Sequence, residues 1–449
     1  MLCLAWRRSN CDQGYSTARL PRMTTIPWYR VVARSAVVLA ACIVLQAPAA
    51  AQPNKAAQLA ADASAAIKTC RSADAAAERG CYAQAFSARI ASGGPASALE
   101  LLDRLAALEP KVRSDGHFYA HHIGASALDA PADIGRVFAS CTPGYQSGCY
   151  HGVIQSYFIA KERAGEGVTA QSVDALCQDY RGTRADLLFQ CTHGLGHGLA
   201  ILQRHDLPAA LTACDLLSRE AEREMCYAGA FMESLVNATH PGHSVVPAVK
   251  ASSGGAAEAD PHAHHAGHPA TAASAKPSFR ALDPSNLHYP CSAVAEKYLI
   301  ACYTIQTSAM LHHTGNDVGR AASECGRAPE KARTTCFISL GRDVTTAAAG
   351  SNREAVRLCG LVEAGFRATC HRSVAETLVN MNANPVEAIA YCRAVGEADG
   401  KSACYTALGE QASVLPKGTE KREQACRAAE AAYRDACLGT RISADAPAA

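Results

Sequence analysis

The spacing of the cysteines constrains this chain more than any other feature. Eighteen of its 21 cysteines follow residue 51, and they fall into nine sequential pairs whose partners are 8 to 14 positions apart. The pairs are Cys70/Cys81, Cys141/Cys149, Cys177/Cys191, Cys214/Cys226, Cys291/Cys302, Cys325/Cys336, Cys359/Cys370, Cys392/Cys404 and Cys426/Cys437. The first cysteines of the last five pairs follow one another at intervals of 34, 34, 33 and 34 residues. A constant period indicates a repeat protein, and an even number of cysteines predicts disulfides in an oxidising compartment.

Each pair marks one unit of about 34 residues. An Ala- or Leu-rich stretch ends at the first cysteine, a polar connector follows, and the second cysteine opens another helical stretch, as in residues 388–392, 395–400 and 404–408. Two antiparallel helices can bring such positions within the Cα separation of roughly 5.5–6 Å that a disulfide needs. Because sequence does not determine connectivity, disulfides between neighbouring units are the alternative. We predict an all-α solenoid of about ten helical hairpins, each stapled by a disulfide.

One predicted unit has no cysteines. Cys70 and Cys141 are 71 residues apart, which is two periods, so a unit without a disulfide is expected between them. Residues 101–108 supply its first helix, and Ala120 falls where its second cysteine would stand. This placement sets the register in which we compare the units.

In architecture, residues 60–440 resemble disulfide-bearing members of the Sel1-like and tetratricopeptide class of helical repeats. The cysteine-paired hairpins carry the resemblance, whereas the usual consensus residues of those repeats are absent. No functional residue is therefore carried over. The resemblance implies a curved solenoid, in a class of proteins used mostly for binding.

The first 51 residues are typical of a secretory signal peptide. Arg30 and Arg34 precede an apolar run at 35–45, and the small residues 49–51 form a cleavage site. The apolar run is too short to span a bilayer. We predict cleavage after Ala51 and a periplasmic or secreted location.

Two alternatives concern this segment. Met23 is a more natural start than the first residue, because the preceding positions add nothing that a signal peptide needs. Residues 39–42 also match a lipoprotein cleavage box, which would leave a lipidated Cys42 at the mature N-terminus. The apolar run continues through 43–45, so Cys42 lies inside it, and a soluble exported protein is the preferred interpretation.

Composition divides the exported chain into four segments. Residues 52–239 hold N-terminal repeats, 240–286 form an insertion that breaks the register, 287–440 hold C-terminal repeats, and 441–449 form a disordered tail. The core of the insertion, 251–278, is rich in Gly, Ala, Ser and His, as flexible segments are. The formal net charge of +2 gives no reason to expect a nucleic-acid partner.

Counting from the second cysteines aligns three histidines. His151 and His193 stand two positions after the second cysteines of their units, and His122 stands two positions after Ala120. Equivalent positions of neighbouring repeats stack, and packed helices lie roughly 8–10 Å apart. Imidazoles that reach inward across that distance can share one zinc ion at about 2.0–2.1 Å each.

The local sequence adds to this register. His193 and His197 are four residues apart, so they lie on one face of a helix, as chelating pairs do. Gly194, Gly196 and Gly198 are costly in a helix unless a neighbouring backbone or a ligand must come close.

We predict a site for a transition metal, either zinc, copper or iron, in the N-terminal repeats. Its predicted ligands are His122, His151, His193, His197 and His121. A packing role competes with ligation most strongly at His121, because a lone histidine is more often part of the core. Further candidates nearby are His117, Gln155 and Glu233.

Three functions fit these residues. The leading hypothesis is an exported helical-repeat protein that binds a metal through histidines near the starts of stacked helices. The first alternative is a metal-dependent hydrolytic or oxidative enzyme at the same place, with Glu233 as its general acid or base. The second is a metal-free scaffold whose solenoid surface binds a protein partner. Cysteine ligands are not expected, because every mature cysteine has a disulfide partner in this scheme.

Overall fold

The computed structural model describes residues 55–72, 74–130, 133–239, 279–415 and 417–439. Within these ranges the chain is all-helical and contains no β-strand. The predicted signal peptide, positions 240–278 of the insertion and the predicted tail lie outside the described residues. The contacts below belong to one compact unit that begins at Leu59.

Twenty α-helices make up the described part of the chain. Those before the insertion are α1 (Lys55–Cys70), α2 (Ala75–Leu108), α3 (Pro110–Ser114), α4 (Gly116–Ala127), α5 (Ile134–Ala139), α6 (Gly148–Arg163), α7 (Ala170–Leu176), α8 (Ala185–Leu202), α9 (Leu207–Cys214) and α10 (Glu220–Thr239). Those after it are α11 (Leu299–Tyr303), α12 (Gln306–Thr314), α13 (Val318–Arg327), α14 (Glu330–Ala347), α15 (Asn352–Cys359), α16 (Arg367–Asn382), α17 (Val386–Ala394), α18 (Ala398–Val414), α19 (Gly418–Arg427) and α20 (Arg434–Leu438).

The nine predicted disulfides all form within the described residues, and each joins sequential cysteines. Their Cα separations are 5.3 to 5.7 Å. The first cysteine usually lies at the end of a helix, as Cys214 does in α9, and the second lies inside the next, as Cys226 does in α10. The predicted all-α fold is confirmed, and the disulfides have the predicted sequential pairing, not the alternative links between neighbouring units.

Polar side chains start several of the first helices of the hairpins. Thr169, Asp206, Asp317 and Ser351 each accept a hydrogen bond from a backbone N–H in the first turn of α7, α9, α13 and α15. Such a cap satisfies one of the donors that a helix leaves unpaired at its start, and typically contributes about 1 kcal/mol. The residues at which these short helices begin are therefore defined by the sequence.

The break inside α2 separates two hairpins. Gly94 has a φ of 74°, which interrupts the helix, and Pro95 follows it. Glycine adopts this left-handed conformation without a Cβ clash, and proline suits the first turn of the helix that resumes. The second part of α2 is the predicted first helix of the unit without cysteines, and α4 is its second helix.

The longer second helices pack on one another in chain order. Before the insertion α2 contacts α4, α4 contacts α6, α6 contacts α8, and α8 contacts α10; after it α14, α16, α18 and α20 follow the same order. Several of these contacts bring backbone against backbone, and two of them involve helices that carry the histidines. A Cβ added to Gly124 would lie 2.0 Å from the carbonyl oxygen of Cys149, and one added to Gly196 would lie 2.0 Å from that of Cys226. Glycine at these positions lets the helices that carry the histidines approach closely.

The same contacts correct the register of the unit without cysteines. Gly229 meets the carbonyl oxygen of His193, and Gly152 meets the carbonyl oxygen of His121, in each case at 2.0 Å from an added Cβ. His121 rather than His122 is therefore the structural equivalent of His193. The sequence count was one residue out because this unit has no cysteine from which to count.

None of the helices among the described residues is long and apolar enough to cross a membrane.

Candidate metal centre

Three histidine side chains meet between α6 and α8. His151 comes from the first turn of α6, and His193 and His197 lie one turn apart on α8. One ring nitrogen of each lies within 4.8 Å of the corresponding nitrogens of the other two. The ring centroids of His151 and His197 are 4.4 Å apart, those of His193 and His197 are 5.0 Å apart, and those of His151 and His193 are 5.7 Å apart. We call these three residues the histidine triad.

The spacing inside the triad suits a metal ion. The Nε2 atoms of His193 and His197 are 3.3 Å apart. Two nitrogens bound to one tetrahedral zinc ion at 2.0–2.1 Å are about 3.3–3.4 Å apart. In the metal-free protein, one N–H···N hydrogen bond can occupy the same space, and a metal would replace its proton.

Glu233 fixes the orientation of one ring of the triad. Its Oε2 lies 2.9 Å from Nδ1 of His197, and both side chains are buried, at 2% and 5% exposure. With the proton on Nδ1 donated to this carboxylate, Nε2 of His197 keeps a lone pair and faces His193. Such a carboxylate partner is the usual outer contact of a metal-bound histidine. The arrangement places Glu233, predicted as a general acid or base, against the His197 ring.

Two of the three histidines, His151 and His193, have lowered pKa values. Burial is the largest cause that lowers the pKa of His151, and the neighbouring His197 and His117 lower it further. Burial also lowers the pKa of His193 to about 3. Both shifts have the same physical origin, since a charged imidazolium loses hydration in a crowded, partly closed cluster. Neutral imidazole is the form that binds metals, so burial keeps His151 and His193 in the metal-binding form at neutral pH.

His117 and His121 extend the row of rings beyond His151. Both lie on α4, with ring centroids 6.3 Å apart, and the His117 ring is 5.5 Å from that of His151. Nδ1 of His117 donates a hydrogen bond of 2.8 Å to the carbonyl oxygen of Tyr145. Tyr145 begins a left-handed turn of three residues with φ between 52° and 63°, an unusual backbone for non-glycine residues.

His122 points to different partners. Its Nε2 lies 3.1 Å from Oγ of Ser87 and 3.3 Å from Oγ of Ser126. These contacts join it to α2 and to its own helix, and its ring makes no ring contact with the triad among the described residues. Of the five predicted ligands, the structure brings together His151, His193 and His197, places His121 at the end of the row, and leaves His122 apart.

Gln155 is the most unusual polar residue near the triad. It follows His151 by one turn on α6 and is completely buried. Neither its Oε1 nor its Nε2 has a hydrogen-bond partner. A buried amide without partners costs roughly 1–3 kcal/mol per unpaired group, so its presence calls for a physical reason.

His205 is a neighbour of the site that sequence reasoning missed. It lies in the turn between α8 and α9 with a φ of 60°. Burial lowers the pKa of His205, and the negative charge of Glu233 opposes this shift without reversing it. No motif signalled this residue, because it approaches Glu233 only through the fold of the turn.

The fold and the triad together define a disulfide-bonded, all-helical protein with a buried three-histidine cluster. Beyond this class the comparisons add no family: no family model, no curated protein and no solved structure matches the chain.

Proposed function

We propose that this protein is an exported metal-binding protein whose centre is the triad of His151, His193 and His197. The observation that carries the proposal is the meeting of three imidazoles, two of them with Nε2 atoms 3.3 Å apart. A single N–H···N hydrogen bond between His193 and His197 does not involve His151, so it does not account for the approach of a third ring nitrogen to the same point.

The three imidazole nitrogens limit which metal ions the site can bind. Imidazole nitrogens suit zinc, copper and iron, whereas magnesium and calcium prefer oxygen ligands. Glu233 supports the choice, because its negative charge partly balances a divalent ion and its contact fixes the His197 ring. We therefore propose a transition-metal ion and leave its identity to measurement.

The disulfides support the proposed cellular location. Nine disulfides within the described residues fit an oxidising compartment, outside the cell or in a periplasm. The signal peptide at 1–51 that we expect from the sequence belongs to the same proposal.

Metal analysis of the purified protein tests the proposal directly. After separate reconstitution with zinc, copper and iron, followed by gel filtration, we expect one ion per chain for at least one metal. His151→Ala and His193→Ala should lose it, whereas the matched variant His122→Ala should keep it, because His122 contacts serines instead. Absence of a bound ion in the wild type with all three metals would refute the proposal and favour the scaffold hypothesis.

A metal-dependent enzyme at the same site is a second candidate. Three protein nitrogens are the ligand number of open zinc sites in enzymes, whereas structural sites commonly have four protein ligands. Glu233 would then act through the His197 ring that it contacts, as a positioning residue. Hydrolysis of simple esters by the metal-loaded protein, lost in His193→Ala, would favour this candidate.

A further inference from the structure

The helix register places a fourth residue beside the triad. His151 and Gln155 are four residues apart on α6, and His193 and His197 are four residues apart on α8. Each pair occupies the second and sixth positions after the second cysteine of its unit. Residues four apart lie on one helix face, with Cβ atoms roughly 5–6 Å from each other. The two helices pack directly on each other. His151 is equivalent to His193, and Gln155 is equivalent to His197, so an amide stands where the other helix has its second imidazole.

The state of this amide points to a ligand. Gln155 is completely buried, and both of its polar atoms lack a partner. Within the described residues no other buried side chain has two such atoms. Leucine or methionine would fill the same space without this cost, so the amide makes sense if a bound molecule supplies its missing hydrogen bonds.

We propose that the amide of Gln155 holds a small ligand, water or hydroxide or a small anion, in the fourth coordination position of the metal. The inference rests on the proposed metal centre. Water or hydroxide satisfies both atoms of the amide: its oxygen accepts from Nε2–H, and its hydrogen is donated to Oε1. A small anion such as azide uses the N–H donor alone. Three protein ligands and one exogenous ligand complete a tetrahedral ion.

Cobalt(II) provides the probe, because its visible spectrum reports ligand number and exchange. We expect azide to shift the spectrum of the cobalt-loaded wild type. In Gln155→Leu the dissociation constant of azide should rise about tenfold or more, as expected for loss of a hydrogen bond to a charged group, while cobalt affinity stays within about twofold. Ser156→Ala is the matched control on the same helix, because the Ser156 hydroxyl donates to the Ala125 carbonyl oxygen on α4.

The outcomes separate the two proposals. Unchanged azide affinity in Gln155→Leu would overturn the inference and leave the metal centre standing. A large loss of cobalt affinity in that variant would make Gln155 a direct ligand, which also overturns it. A wild type that binds no cobalt overturns both proposals. If Gln155→Leu fails to fold, as judged by circular dichroism, Gln155→Met repeats the test with a side chain of similar length.

Discussion

Glu233 and His197 join α10 to α8 through a buried hydrogen bond of 2.9 Å between Oε2 and Nδ1. The contact exists because the two helices touch backbone to backbone at Gly196 and Gly229. It fixes the proton on Nδ1 and leaves Nε2 of His197 as the nitrogen that faces His193. One ligand of the proposed centre is therefore oriented by a residue from the neighbouring hairpin.

Replacement of Glu233 by glutamine should weaken metal binding. Glu233→Gln keeps the shape but removes the charge that polarises the His197 ring, so we expect the affinity for zinc to fall about 10- to 100-fold. Competition with a chromophoric chelator measures this change. Glu220→Gln, at the exposed start of the same helix, should leave the affinity unchanged. Equal affinities in Glu233→Gln and wild type would contradict the orienting role.

Acid should destabilise the metal-free protein through His193. The unfolded residue has a pKa of about 6.5, whereas burial lowers the folded pKa to about 3. Between these values the unfolded chain binds a proton that the folded chain does not, so the free energy of unfolding decreases as pH falls from about 6.5 toward 3. Above pH 6.5 the residue is neutral in both states and has no such effect.

Urea unfolding at pH 7 and pH 4.5 measures this contribution. His193→Gln cannot take up the proton, so its loss of stability between the two pH values should be smaller than that of the wild type by up to about 2 kcal/mol, given the partial exposure of His193. Carboxylates affect both proteins alike and cancel in the comparison. Equal losses would mean that His193 titrates normally in the folded protein.

The sequence was most informative where covalent chemistry sets the register. The paired cysteines predicted the disulfides, and counting from Cys149 and Cys191 singled out His151 and His193, which meet in the triad. The same count misplaced the preceding unit, because an extrapolated position at Ala120 is one residue from its structural equivalent. Local spacing therefore predicts equivalent positions only where a disulfide lies nearby to count from.

Contacts between helices could not be obtained in this way. The hydrogen bond of Glu233 to His197 depends on how closely α8 and α10 approach, and the position of His205 depends on a turn with left-handed residues. The glycines hinted at a close approach, but a glycine does not identify the backbone that it meets. These contacts depend on tertiary packing, which the spacing of residues within one helix does not predict.

Substitution of Gly196 by alanine should disturb both the fold and the site. The added Cβ would lie 2.0 Å from the carbonyl oxygen of Cys226, so α8 and α10 must move apart. We expect a loss of about 1–3 kcal/mol in the free energy of unfolding, with weaker metal binding as Glu233 separates from His197. Gly80→Ala is the control, because an added Cβ in that helix meets no atom within 4 Å and should be neutral or stabilising. Equal stability of the two variants would show that the helices adjust without strain.

The buried carboxylate of Glu222 in α10 forms an ion pair with Arg181, which lies in the connection before α8. We expect this ion pair to stabilise the packing of α8 and α10. Arg181 donates to Glu222 from Nε and Nη2, the latter at 2.6 Å, and to Asp174 from Nη1 and Nη2. The Glu222 side chain is 3% exposed, whereas that of Asp174 is 30% exposed and also accepts from Ser218. Removal of the guanidinium therefore leaves the buried Glu222 charge with only the more distant Arg219, whose Nε lies 3.9 Å from Oε1. Loss of one partner of a buried ion pair typically costs about 3–5 kcal/mol, and the exposed Arg219 offsets little of it.

Arg181→Met should show this cost in urea unfolding. The double variant Arg181→Met/Glu222→Met should recover most of it, because replacing both buried charges by apolar groups is often close to neutral. Arg184→Met is the matched control, since Arg184 pairs with Asp186 at the surface and such pairs contribute about 0–1 kcal/mol. If the single and double variants were equally unstable, the loss would come from packing of the Arg181 side chain and not from the charge left on Glu222.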